Sequence, residues 1–436
     1  MTVLRRMGSG HEVTRHVLEN GLVVLLKEVH SAPLISFWVF YRVGSRNEQT
    51  GQTGVSHWVE HMMFKGTPRY PAGVLDREID RNGGIWNAQT SFDYTAYYET
   101  LPADRIDLAI EAEADRMVNA LFDPEETESE RTVIISERQG SENSPMFWLN
   151  EEVQGMAFRV HPYHHTIIGD MADLETMTRD DLYHHYRRYY APNNAIVVVV
   201  GAFASAEMLE KVKAVYGGIH PGDAPPPVVR KEPPQMGERR VNVERPGSTA
   251  FIEVMYRAPA VSNPDWFAFA ALDSILGGPS GPGGGNIDNK TSRLYRGVVE
   301  TGIAASASGH LYMTSDPFGY TITLAVNDDR TLEEAEAALD AVLDGLKTNP
   351  ITQKELDKAK KQAKAAFAYA TEGVTGQAYW LGYAEMLDSY TLFTDFVSRL
   401  EAVTLEQVQQ VAEQYLRPSQ RTLGRFIPQM ENEAHA

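Results

Sequence analysis

The chain has 436 residues, 43% of them hydrophobic, and a formal net charge of −19 from 40 basic and 59 acidic residues. That length exceeds the usual size of one domain, and the charge argues against nucleic acid or an anionic membrane as a partner; it fits either long-range attraction of basic peptides or a generic solubilising acidic surface. The absence of cysteine excludes disulfides, cysteine-held zinc and thiol nucleophiles, so any metal has nitrogen and oxygen ligands.

Met1 to His11 is basic but has no apolar core of the secretory kind, and nowhere do 18 apolar residues run together. The sequence as given reads as cytoplasmic without a membrane span, or as periplasmic if it is a trimmed mature form. Alternation and turn residues predict a hairpin from Glu12–His16 and Leu22–Glu28 around Asn20-Gly21, then a strand at Ile35–Tyr41.

The next segment reads His57-Trp58-Val59-Glu60-His61. Histidines at i and i+4 stack on one helical face and reach one zinc ion, with Glu60 on nearly the same face; this is the inverted order H-x-x-E-H of metal hydrolases. Thr53-Gly54-Val55-Ser56 precedes it, with Ser56 the candidate N-cap, and Lys65-Gly66-Thr67-Pro68 closes it. The surrounding Trp58, Val59, Met62, Met63 and Phe64 would bury the polar groups, a cost that metal coordination removes.

A helix near Val74–Arg81 and strands at Ile85–Thr90 and Tyr94–Thr100 follow, then helices at Ala103–Asn119, Pro124–Glu142 and Trp148–Val160. The acidic helix 124–142 is the source expected for a third ligand. Glu130 and Glu137, seven apart, share a face near Val133 and Ile134, which singles them out from Glu125, Glu126 and Glu128 in the first turn. Glu137 is expected on the metal and Glu130 behind it, orienting a histidine ring. Glu60 is then the general base.

Prolines between Gly217 and Arg239 mark a linker, giving expected domains at 1–216 and 242–436 joined by 217–241. The halves repeat: Thr178, Tyr189 and Pro192 recur as Thr404, Tyr415 and Pro418, each displaced by 226 residues (404−178, 415−189, 418−192). The second half reads as a strand at Phe251–Tyr256, helices at Pro264–Leu276 and Lys290–Thr301, strands at Ala304–Leu311 and Tyr320–Val326, several helices, and a strand at Thr422–Ile427. The fold class is therefore α+β: two homologous sandwiches of a mainly antiparallel sheet packed with helices. The glycine-rich run Gly277–Gly285 is read as a flexible loop, since it follows a helix and lacks the phosphate-loop glycine before Lys290. The pairs His164-His165 and His184-His185 lack metal spacing and are read as structural.

These residues resemble the pitrilysin-type zinc peptidases, in particular the processing-peptidase-like branch. The resemblance is carried by Gly54–Thr67, Asn87–Thr90 with Asp93 and Thr95, Glu130-Arg131, Glu137, His161–Tyr163 with Gly169, and Pro192–Asn194. It implies one Zn²⁺ per chain held by His57, His61 and Glu137, since in that family the third ligand lies 76 residues beyond the second histidine (137−61). It also implies an essential Glu130, and a strand through Asn87, Ala88 and Gln89 to which an extended peptide adds as a further strand. The family's arginine and tyrosine in the second half are replaced by Val299 and Ala305 within Ser292–Ala305, and Arg296 lies a turn out of place. The resemblance therefore implies the zinc-bearing subunit of a heterodimer whose zinc-free homologue supplies the pair, with a homodimer as second choice. A catalytically silent structural subunit, or a peptide-binding module, is the alternative; a scaffold has no need of His57, Glu60, His61 and Glu137 together.

Overall fold

A computed structural model describes residues 12–278 and 289–429 of the chain. The readings for Met1–His11 and for most of the Gly277–Gly285 run lie outside the described residues. Contacts divide the chain into two compact units, neither continuous in sequence. One comprises 1–137, 166–229 and 371–393; the other comprises 138–165, 230–370 and 394–436.

The first unit is built on a six-stranded sheet. Its strands are β1 (Val13–Val17), β2 (Val23–Glu28), β3 (Leu34–Tyr41), β4 (Ile85–Thr90), β5 (Thr95–Pro102) and β6 (Ala195–Gly201), in the order β1-β2-β6-β3-β5-β4. All neighbours are antiparallel except β2 and β6. The run Ala195–Gly201 is buried throughout because both sheet faces are covered. On one face Phe37, Val39, Val197 and Val199 meet helices that include Val55–Met62, Asp107–Asn119 and Arg179–Tyr189. On the other, Trp38, Phe40, Ile196 and Val198 meet Ala378, Leu381 and Met386 of helix Val374–Leu387, which the chain's second half contributes. That helix comes so close that a Cβ on Gly382 would stand 2.1 Å from the Phe40 ring.

The second unit has five strands: β7 (Arg239–Pro246), β8 (Phe251–Arg257), β9 (Ala304–Leu311), β10 (Gly319–Val326) and β11 (Arg421–Gln429), in the order β7-β11-β8-β10-β9. The pair β7 and β11 is parallel and the rest antiparallel. Apart from β1, the order and the one parallel pair of the first sheet recur here, and the repeated threonines both cap helices through capping boxes, Thr178 with Asp181 and Thr404 with Gln407. Helix Pro145–Ala157, from the first half, lies on β7, β8 and β11, with Leu149 and Val153 seated over Gly424. Each unit thus takes one helix from the other half of the sequence.

Two local readings change. Residues 290–301 do not form a regular helix; a π-helical turn covers Tyr295–Val299, which Gly297 lets press against Val342. Strand β7 begins at Arg239, at the end of the segment read as linker, paired with β11 from its first residue, and its Arg240 joins Arg421 and Arg425 beside Glu336. Among the described residues no helix is long and apolar enough to cross a membrane.

Candidate metal centre

Helix Val55–Met62 turns Val55, Trp58, Val59 and Met62 into the core, which leaves His57 and His61 on the opposite face. The helix starts at Val55 and not after Ser56. Gly54 takes the preceding position with φ +86°, where a Cβ would strike the Ile168 carbonyl oxygen at 2.4 Å. The free N–H groups of the first turn are satisfied from outside: Gly54 N and Ser56 N each donate to an oxygen of the Glu48 carboxyl group at 2.8 Å. Thr53 donates through N (2.9 Å) and Oγ1 (2.6 Å) to Asp173. Ser56, freed from capping, has its Oγ 3.2 Å from His185 Nε2, and burial pushes that imidazole down to about 3, so the ring is neutral. One histidine of the pair 184–185 therefore braces the metal helix from behind.

The acidic helix Pro124–Glu142 supplies two carboxylates of different character. Its buried positions are Thr127, Glu130, Ile134 and Arg138, whereas Val133 is exposed and the Glu137 side chain is 48% exposed. Glu137 is thus not on an apolar stripe; it flanks it. Its Oε2 lies 3.8 Å from both His57 Nε2 and His61 Nε2, and one ligand atom from each of the three residues falls within 4.8 Å of the others.

Two imidazole nitrogens and one carboxylate oxygen are the donor set of a catalytic zinc, whose tetrahedral bonds would put ligand atoms about 3.3–3.5 Å apart. The two Glu137–imidazole spacings of 3.8 Å need close by only about half an ångström, and the donor set fits the ion. Protonation agrees. Burial, with His61 adjacent, pushes His57 down to about 4, so it is neutral and able to ligate. At His61 burial works against the charged ring, but hydrogen bonding to Glu130 and the nearby carboxylates outweigh it and the pKa is raised.

Glu130 meets His61 Nδ1 at 2.8 Å through Oε1 and Lys65 Nζ at 2.5 Å through Oε2. Burial tends to raise its pKa, yet the hydrogen bonds from His61 and Lys65 leave it lowered, so it stays ionised. An ionised acceptor at Nδ1 fixes the tautomer that presents Nε2 to the metal. Glu60 is buried, its pKa raised by that burial and partly restrained by Thr90, whose Oγ1 donates to Oε2 at 2.6 Å.

The structure brings His57, His61, Glu137, Glu130 and Glu60 together. Asn87, Ala88 and Gln89 lie on β4, the edge of the sheet. Ala88 packs toward the core and Gln89 Nε2 donates to Tyr94 OH at 2.9 Å. Val299 and Ala305 belong to the second unit, at the end of the π turn and in edge strand β9, and Arg296 is exposed on that turn. Sequence reasoning missed Glu48, Asp173, Lys65 and His185 as supports of the metal helix. Only Lys65 had a signal, a basic residue one turn beyond His61.

A two-sheet α+β fold with H-x-x-E-H on a helix and a glutamate from a second helix defines the class of zinc proteases with the inverted motif. The chain matches the description "Insulinase (Peptidase family M16)" over residues 23–171 and "Peptidase M16 inactive domain" over 176–363. It belongs to peptidase family M16. Zinc protease PqqE of Helicobacter pylori is 32% identical over 93% of this chain and 90% of its own length. The probable mitochondrial-processing peptidase subunit beta of Arabidopsis thaliana is 26% identical over 94% of this chain and 77% of its own. The crystal structure of a protease from Helicobacter pylori superposes with a TM-score of 0.90 at 30% identity, covering 96% of this chain and all of that one. A peptidase M16 inactive domain from Pseudomonas fluorescens, 18% identical, shares the fold with a TM-score of 0.85.

Proposed function

We propose that the chain is a zinc endopeptidase acting on extended, preferentially basic peptides, and that Glu60 is its general base. The observation that carries this reading is the convergence of His57, His61 and Glu137 with a buried Glu60 on the same helix. Zinc held there would polarise a scissile carbonyl and acidify a water. Glu60 takes the proton of the attacking water and delivers it to the leaving amine; its raised pKa suits both halves of that transfer. Glu130 keeps His61 in the ligating tautomer. The edge of β4 at Asn87, Ala88 and Gln89 receives the substrate backbone as an added strand, so side-chain identity matters little and extension matters much. The net charge of −19 favours basic substrates over long range.

Val299 and Ala305 stand where the family resemblance places an arginine and a tyrosine, so we propose that a homologous zinc-free chain supplies that pair in a heterodimer, a homodimer being the second choice. A silent structural subunit is the second reading, favoured by that same loss. Metal analysis and peptide cleavage, with and without the homologous chain, test both. One zinc per chain and turnover that Glu60→Gln lowers by roughly 10²–10⁴-fold without loss of zinc support the peptidase. Stoichiometric zinc with no cleavage in any assembly supports the structural subunit.

A further inference from the structure

We infer that Thr90 is a positioning residue for Glu60, holding the carboxylate in its reactive orientation from the edge strand; the inference rests on the reading of Glu60 as general base. Thr90 Oγ1 lies 2.6 Å from Glu60 Oε2 and 3.4 Å from Thr95 Oγ1. Thr95 spends its own proton on the Val43 carbonyl, 3.0 Å away, so it can serve Thr90 only as a distant acceptor. The single hydroxyl proton of Thr90 therefore goes to the carboxylate, a short charge-assisted bond inside a buried site. A glutamate side chain has a broad terminal torsion, and Thr90 restrains it through the hydroxyl, the stronger contact, with its backbone N–H as a weaker second one. The hydroxyl pins Oε2 and so fixes where Oε1 stands for proton transfer.

The donor's address matters as much as the bond. Thr90 closes β4, one residue beyond Gln89, so the strand proposed to receive the peptide also sets the base. Its side chain shares the side of β4 that faces the motif helix with Trp86 and Ala88, four and two residues back, which face Phe64 and the core. Thr90→Val keeps the β-branched shape and the backbone N–H and removes only the hydroxyl donor; Thr90→Ser keeps both donors.

The test compares zinc-loaded crystal structures of wild type and Thr90→Val with steady-state cleavage of an extended basic peptide by wild type, Thr90→Val, Thr90→Ser and Glu60→Gln. Kinetics are read in the assembly that gives wild-type turnover, and thermal midpoint and zinc content are measured for each. Thr90→Val is expected to bind one zinc, to show the Glu60 carboxylate rotated or split between orientations, and to lose roughly 10- to 100-fold in kcat with KM unchanged. Thr90→Ser is expected to restore kcat. An unmoved Glu60 in Thr90→Val, wild-type kcat in Thr90→Val beside an inactive Glu60→Gln, or failure of serine to rescue overturns the role of Thr90 and leaves the base assignment standing. Wild-type turnover by Glu60→Gln overturns the base assignment itself.

Discussion

At the residue scale the candidate metal centre divides between two side chains what the sequence shows as one run of glutamates. Glu137 offers its oxygen to the site, half exposed; Glu130 stays buried between His61 and Lys65. Glu137→Gln is expected to abolish stoichiometric zinc. Glu130→Gln should weaken zinc about 10- to 100-fold, because the Nδ1 partner of His61 loses its charge while the ligand set is intact. Competition with a chromogenic chelator measures both, and equal losses would remove the distinction drawn between them. Residue types and spacing make His57, Glu60, His61 and the two glutamates legible. Glu48, Asp173 and Thr90 are not, since they reach the motif helix across loops and strands and leave no periodic trace along the chain. Val133, read with Glu137 on one helix face, is exposed, so no apolar stripe marks Glu137; what points to it is the family resemblance, whose third ligand lies at this interval from the second histidine.

At the element scale the motif helix owes its start to a buried carboxyl group outside it. Glu48→Ala leaves the N–H groups of Gly54 and Ser56 without their acceptor, and should cost about 0.5–2 kcal/mol by chemical denaturation. A loss within error would mean that another group caps the helix. The helix on the opposite face of the sheet makes a sharper case. Gly382→Ala forces a methyl into the Phe40 ring of a close-packed interface and is expected to destabilise by about 1–3 kcal/mol, although alanine is the better helix former. Strands β1 to β5 are legible in apolar runs, alternation and turn residues, and the shared topology of the two sheets in the Thr, Tyr and Pro landmarks that recur 226 residues apart. The 290–301 segment does not, because its apolar spacing suits a helix while Gly297 and its contact with Val342 impose a π turn.

At the scale of the whole molecule, stability is bounded from both sides of the pH range by carboxylates in different surroundings. At Glu336 burial opposes ionisation, but hydrogen bonds from Arg240 and Arg425 bring the pKa down to about 2. Its folded value lies below the unfolded one, so its contribution is present above pH 4.5 and is lost as pH falls toward 2. Glu48 and Glu253 are both pushed up to about 8 by burial. The folded state then holds protons that the unfolded chain releases, and their contribution is lost as pH rises from about 4.5 through 8. Urea unfolding from about pH 3 to 9 is expected to show stability falling at both ends, with Glu336→Gln flattening the acid limb and Glu253→Gln the alkaline one. The reverse pairing of variants and limbs would contradict these signs. The exchange of helices between the halves has no signature in the sequence, because each exchanged helix is apolar enough to suit either sheet. It makes a separate prediction: residues 1–229 expressed alone expose Trp38, Phe40, Ile196 and Val198, and should aggregate unless a peptide spanning 371–393 is supplied.

The same exchange bears on how clipped material would behave. A protease that severs the backbone anywhere between Gly218 and Gly237 yields two fragments, each still owing a helix to the fold of the other. The severed chain should therefore elute from a sizing column as one particle and separate only in detergent, so that apparent intactness under native conditions says nothing about whether the polypeptide is whole.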